Sequence, residues 1–218
     1  MNKADVLDLI KKEKLIVIAR RVPTEKLKKV ADAIFWGGAK ILELTFDQTA
    51  EDPLKTFTEN FEQVKNSGLC IGAGTVLTAR QLKCAYKLCA KFFVAPNSNP
   101  RLIKLAKKLG MVAIPGALTP SEIVNAHESG ADIVKLFPAD DMGFHYLWNF
   151  SGPLNHIPLL VSGGVNVETI PQYLKHGASA LCTGVTIIDR TMLNNDDYEG
   201  IKKLTEDHIN SIKNFSDN

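Results

Sequence analysis

Eight short runs along the chain are apolar almost without a break: LIVIA from Leu15, KILEL from Lys40, LCIGA from Leu69, KFFVA from Lys91, MVAIP from Met111, DIVKL from Asp132, PLLVS from Pro158 and SALCT from Ser179. A strand with one face in water alternates apolar and polar residues. Runs this continuous suit strands buried on both faces, as in parallel sheets. Most segments between them place apolar residues three and four apart, the spacing of an amphipathic helix. Strand and helix therefore alternate from end to end, which predicts an α/β fold, a (β/α)8 TIM barrel. An additional N-terminal helix is predicted in MNKADVLDLIKKEK, where charged and apolar residues alternate at helical spacing.

A weak internal repeat sets the register. Helices are expected to end at a glycine in the left-handed C′ position, with a strand just beyond. Aligned on Gly38, Gly68, Gly110, Gly130 and Gly177, the chain places Glu43, Ala73, Pro115, Lys135 and Cys182 five residues on. Equivalent units would hold these residues at one level near the carboxyl ends of their strands, where barrel enzymes keep their chemistry. By the two-residue period Ile41, Glu43 and Thr45 share a face, as do Ile133, Lys135 and Phe137. Were that face inward, Glu43 and Lys135 would be opposite charges in one apolar cavity.

Composition narrows the picture. The 218 residues are 45% hydrophobic and 23% charged, with no Gly/Pro/Ser-rich linker, which reads as one domain over residues 1–218. Lys+Arg 26 against Asp+Glu 24 leaves +2, without long blocks of one sign. That argues against nucleic acid and membrane partners and for a small molecule. The N-terminal segment lacks the long apolar core of a signal peptide or a membrane span, which points to the cytoplasm. Cys70, Cys84, Cys89 and Cys182 form no zinc-type spacing and read as packing thiols. The histidines, at 127, 145, 156, 176 and 208, show no i, i+4 pairing. No metal or other cofactor is expected.

Lys135 within DIVKL has two readings. A structural ion pair with Glu43 would do no chemistry, but a buried pair is rarely a net stabiliser and an apolar pair would serve the barrel as well. The other reading is a nucleophile: an amine attacks a carbonyl only when unprotonated, and apolar surroundings such as Val134 and Phe137 favour the neutral form. Glu43 would then stand a water away or be partly protonated, carrying protons as well as balancing charge. VSGGVNVET and CTGVTIIDR follow the seventh and eighth runs, where such barrels bind phosphate. Gly163 and Gly164 would let backbone N–H groups approach an anion, and Asn166 would cap the next helix. Gly184 with Thr186 supplies a second loop and a hydroxyl donor. GAGTV after the third run leaves room for substrate beside the Thr75 hydroxyl, and Arg20 ends the first run as a permanent cation suited to a carboxylate or phosphate. Pro96 and Pro115 read as shapers of strand ends.

In order and spacing, ILELT, GAGTV, VKLFPA and SGGVN resemble the 2-keto-3-deoxy-6-phosphogluconate (KDPG) / 4-hydroxy-2-oxoglutarate (KHG) aldolases, over about Leu15 to Arg190. The resemblance implies a homotrimeric (β/α)8 barrel of class I aldolases that need no metal and release pyruvate through a lysine Schiff base. It makes Lys135 the Schiff-base lysine and Glu43 the general acid/base. Thr75 matches a threonine that helps hold pyruvate. Ser162, Gly163, Gly164 and Thr186 match the phosphate-side loops, and Arg20 matches an arginine near the substrate. Phe137 and Gly184 complete the substrate-binding set. The implied partner is a phosphorylated 2-keto acid cleaved to pyruvate and an aldehyde. Two departures bear on which acid it is. Asp47 stands where many members carry an arginine for the pyruvate carboxylate, and Ser162 stands where a threonine is frequent. A phosphate-sugar isomerase or epimerase on a similar barrel, or a non-catalytic ligand-binding barrel, would share the same pocket.

Overall fold

In the computed structural model, which describes residues 1–216, each of the eight apolar runs contributes to a parallel sheet. The elements are α1 (Lys3–Glu13), β1 (Leu15–Ala19), α2 (Thr24–Trp36), β2 (Ile41–Thr45), α3 (Pro53–Val64), β3 (Cys70–Gly74), α4 (Ala79–Lys87), β4 (Phe92–Val94), α5 (Pro100–Lys108) and β5 (Val112–Ile114). They continue with β6 (Gly116–Ala117), α6 (Pro120–Glu128), β7 (Val134–Leu136), a 3-10 turn (Asp140–Met142), α7 (Phe144–Trp148), β8 (Leu159–Ser162), α8 (Ile170–Lys175), β9 (Ala180–Thr183), α9 (Arg190–Asn194) and α10 (Tyr198–Ser216). The strand order is β5-β4-β3-β2-β1-β9-β8-β7-β6.

The ninth strand, β6, continues the line of the fifth run just past Pro115. Proline has no N–H for the ladder. The line divides there, β5 pairing with β4 and β6 with β7. The seam is stitched all the same: Lys135 N–H donates to Pro115 O at 2.8 Å and Asp132 N–H to Ala113 O at 3.0 Å. Counted this way the barrel has eight staves, with β5 and β6 forming one.

Alternation along the strands separates two cores. Ile16, Ile41, Cys70, Phe92, Val112, Ile133 and Leu160 fill the lumen, and Val6 and Ile10 of α1 join them. The extra helix therefore plugs the amino-terminal mouth. A reciprocal cap between Asn2 and Asp5 starts it, and the Lys3–Asp132 ion pair at 2.9 Å pins it beneath the β7 stave. The outward residues, among them Val17, Leu42, Val134 and Val161, pack against the helices. Among the described residues, no helix is long and apolar enough to cross a membrane.

The glycine alignment slips in phase at two of its five positions. Gly38, Gly68, Gly110, Gly130 and Gly177 all have φ between 70° and 101°; four of them occupy the left-handed C′ position of a helix, whereas Gly68 lies beyond it, past the end of α3 at Val64. Glu43 pairs with Gly72, however, so Ala73 lies one residue out of phase and belongs to the outer core, and Lys135 pairs with Gly116, so Pro115 is out of phase as well. The cause is local: β3 and β5 each begin two residues after their glycine and β2 three residues after.

Candidate active site

Glu43 and Lys135 project into the upper lumen from opposite walls. Both follow an isoleucine of the interior core by two positions, Ile41 and Ile133, and the pleat carries them to the same face. In the ring of eight staves β2 and β7 stand four apart, so the carboxylate and the amine look across the barrel. They are 1% and 5% exposed, and among the described residues neither takes part in an ion pair. Neither Glu43 oxygen accepts a hydrogen bond from another protein group. Gly74 makes this orientation possible, because a Cβ there would overlap the Glu43 carboxylate. Burial raises the Glu43 pKa above its ordinary value, against the opposing pull of Lys135 and then Arg20.

The amine is shielded from solvent. Lys135 Nζ lies 4.9 Å from the centroid of the Phe137 ring, which closes the site at the mouth. Val134 was expected to shield it too, but faces the helices in the outer core. Cys182 and Ser162 stand in register nearby on β9 and β8. Burial pushes the Cys182 thiol up to about 11, so it remains protonated and contributes no charge near neutral pH.

Above this pair a cleft of about 760 Å³ opens at the carboxyl ends of the strands, lined by Arg20, Thr75, Lys135, Phe137, Ser162, Gly163, Gly164, Gly184 and Thr186. Glu43 lies beneath its floor. Arg20 Nη2 donates to Thr75 Oγ1 at 3.2 Å. Thr75 itself has φ 55°, a left-handed conformation uncommon for a threonine. Gln48 Nε2 donates to its carbonyl at 2.9 Å. Asp47 is turned to its own loop, accepting from Thr49 N–H at 2.9 Å and Thr49 Oγ1 at 2.7 Å. Arg21 approaches its other oxygen at 3.8 Å. The Thr49 hydrogen bonds hold the Asp47 carboxyl below its ordinary range.

The two glycine loops turn amides toward the cleft. Gly163 and Gly164 have φ 106° and 64°. Their carbonyls are taken from behind, by Tyr173 OH at 3.2 Å and Thr169 Oγ1 at 2.7 Å. In a trans peptide the following N–H points opposite the carbonyl. The Gly164 and Val165 amides therefore face forward, without partners among the described residues. In the second loop Gly184 O accepts from Ile187 N–H at 3.0 Å and Ile188 N–H at 2.7 Å, and the Val185 and Thr186 amides have no partner among the described residues. Such concave runs of amides suit an anion. Asn166 and Thr169 bond each other reciprocally, both at 2.9 Å, as in a capping box, and Ile170 N–H donates to Asn166 O at 3.0 Å, so Asn166 caps the turn that leads into α8. The Thr186 hydroxyl is turned away from the cleft, toward Thr183, Val165 O and His208.

Sequence reasoning missed several neighbours. Arg21 and Arg190 also line the cleft, and Asp140 leans over the glycine pair so closely that a side chain at either glycine would meet it. Only the proximity of Asp140 to VKLFPA hinted at a role. Among the described residues no group of three or more His, Cys, Asp or Glu side chains is placed to hold a metal.

Residues 6–204 match the family described as KDPG and KHG aldolase. A relative from Haemophilus influenzae, named 2-dehydro-3-deoxy-phosphogluconate aldolase, is 27% identical over 95% of this chain and 97% of its own. Two solved structures share the fold. KDPG aldolase from Legionella pneumophila, described with pyruvate captured at low pH as a covalent carbinolamine intermediate, has TM-score 0.81 and 24% identity, over 92% of this chain and 96% of its own. The Zymomonas mobilis enzyme described with 3-phosphoglycerate has TM-score 0.82 and 22% identity, over 94% of this chain and 95% of its own.

Proposed function

The chain belongs to the KDPG and KHG aldolase family, a group of aldehyde-lyases, and from that premise we propose that it cleaves a phosphorylated 2-keto-4-hydroxy acid to pyruvate and an aldehyde through a Schiff base on Lys135. The observation that carries this reading is the pair inside the lumen: a buried carboxylate with no protein partner, facing an amine with no counter-ion, under a cleft lined with free amides. A structural ion pair would have closed the gap between them.

Lys135 Nζ adds to the C2 ketone and water leaves, forming an iminium. The iminium is the electron sink for the C3–C4 bond. Glu43, through a water, takes the C4 hydroxyl proton as that bond breaks. The aldehyde departs, and the same carboxyl returns a proton to C3 of the enamine. Hydrolysis of the resulting iminium frees pyruvate and the amine. A carboxyl whose pKa is raised by burial suits both directions of transfer, since it holds a proton less reluctantly than an exposed glutamate.

Arg20 and Thr75, joined to one another, receive the carboxylate end in the role that Asp47 cannot fill. The amides of Gly164, Val165, Val185 and Thr186 receive the phosphate, and its binding orients the scissile bond. The family implies a homotrimer.

Sodium borohydride with pyruvate tests the reading. One reduced pyruvyl group is expected per chain, on Lys135 by peptide mapping, and Lys135→Ala is expected to abolish it. An adduct on another lysine, or none, removes the mechanism.

A further inference from the structure

The half-buried hydroxyl of Thr186 has one proton and two acceptors competing for it. Its Oγ1 lies 3.0 Å from Val165 O and 3.1 Å from His208 Nε2, with Thr183 Oγ1 at 2.8 Å. His208 is 1% exposed on α10. Its Nδ1 stands 2.7 Å from Leu204 O. A carbonyl only accepts, so Nδ1 carries a hydrogen. In the neutral ring Nε2 is then an acceptor, and it competes with Val165 O for the Thr186 proton. In the imidazolium Nε2 becomes a donor to Thr186, whose proton is released to Val165 O. Thr183 then donates to the remaining lone pair, and every group has a partner.

Val165 belongs to the glycine-pair loop, and Thr183 and Thr186 belong to the β9 stave and its loop. We propose that His208 is the positioning residue of the anion-binding loops: its protonation hands the Thr186 proton to the Val165 carbonyl and ties the two loops together around an anion of the phosphate monoester class. This rests on the reading that these loops hold the substrate phosphate. Ser211 Oγ, one turn further along α10, donates to Val167 O at 2.9 Å. The helix is therefore anchored to the first loop whichever way the Thr186 proton points.

The charges that reach the ring are Asp207 on α10 and Glu168 from the turn ahead of α8, both favouring the imidazolium; the β9 loop presents only hydroxyls. Burial outweighs them and lowers the pKa of the ring. The tie is thus absent near neutral pH in the empty site and made in acid. By linkage, a bound anion favours protonation as much as protonation favours the anion.

The test uses sulfate, whose charge does not change between pH 5 and pH 8, and reads both affinity and amide shifts by NMR. In the unaltered protein, sulfate affinity is expected to fall about fivefold to tenfold over that range, the usual scale of a coupling between two sites. His208→Gln keeps an N–H donor toward Thr186 and is expected to bind at the acid-limit affinity at every pH. His208→Leu is expected to bind weakly throughout, and Thr186→Val to lose the pH dependence with His208 still present. A pH profile unchanged in Thr186→Val, or a Gln variant that behaves like Leu, overturns the proposal while leaving the anion site intact. Sulfate that shifts neither the Gly164–Val165 nor the Val185–Thr186 amides overturns the anion-site reading itself, and the proposal with it.

Discussion

The inward face of β2 and the loop that follows it carry two carboxylates four residues apart, and their surroundings drive them in opposite directions. Glu43 sits in the lumen with both oxygens unpartnered, and burial raises its pKa. Asp47 sits half-exposed in a tight turn, with two hydrogen bonds from Thr49 and Arg21 close by, and its pKa is lowered. Charge type and position in the chain are almost shared. Partners and solvent are not, and they separate a group suited to moving protons from one that holds a loop.

The largest way to sharpen that contrast is Glu43→Gln. Borohydride trapping of pyruvate should remain detectable, while aldol cleavage and exchange of the pyruvate methyl protons should fall by roughly 10²–10⁴-fold. Exchange is the cleaner readout because it needs the imine and a proton carrier but no aldehyde. Exchange that persists undiminished in a folded variant would take Glu43 out of the chemistry.

Next in size is Gly74→Ala. The new Cβ overlaps the Glu43 carboxylate, and overpacking of this kind costs about 1–3 kcal/mol. Denaturant unfolding should report that loss, and proton exchange should fall with it. A fully active and stable variant would show that the carboxylate has room the structure does not reveal.

The two carboxylates also predict opposite pH responses. The folded pKa of Glu43 lies above its ordinary 4.5. Its contribution to stability is therefore fully present below that value and lost as pH rises through the raised one. Glutamine does not titrate, so Glu43→Gln should gain on the parent protein between pH 4 and pH 8. The folded pKa of Asp47 lies below its ordinary 3.8. Its contribution is present above that value and lost as pH falls through the lowered one. Asp47→Asn should therefore cost most at neutral pH and least in acid, with an amplitude under about 1 kcal/mol for so exposed a group. Urea titrations across pH measure both slopes. Slopes of the same sign would dissolve the comparison.

Much of the site was readable because strand periodicity is rigid. Once the eight runs were taken as strands, a period of two placed Glu43 beside Ile41 in projection and Lys135 beside Ile133, and the lumen contains all four. Gly163, Gly164 and Gly184 were legible through the place of their loops at the carboxyl ends. Ala73 and Pro115 were misplaced because two helix-to-strand links are a residue shorter than their counterparts, and a single residue exchanges the two faces of a strand. Val134 was assigned to the amine because it is adjacent in the chain, though adjacency in a strand means opposite faces.

Composition and pattern by themselves determined the alternation of strand and helix, the parallel barrel, the extra helix and the two inward charges, since these depend on short-range geometry and on which residues avoid water. The tertiary structure decided what lies between distant segments. It set Glu43 and Lys135 across the lumen instead of in contact and brought His208 of the last helix to the Thr186 hydroxyl. It also laid Asp140 over the glycine pair. Whether a polar group meets a partner, a like charge or an open cavity depends on how the barrel closes and brings separate segments together, and no local period encodes that arrangement.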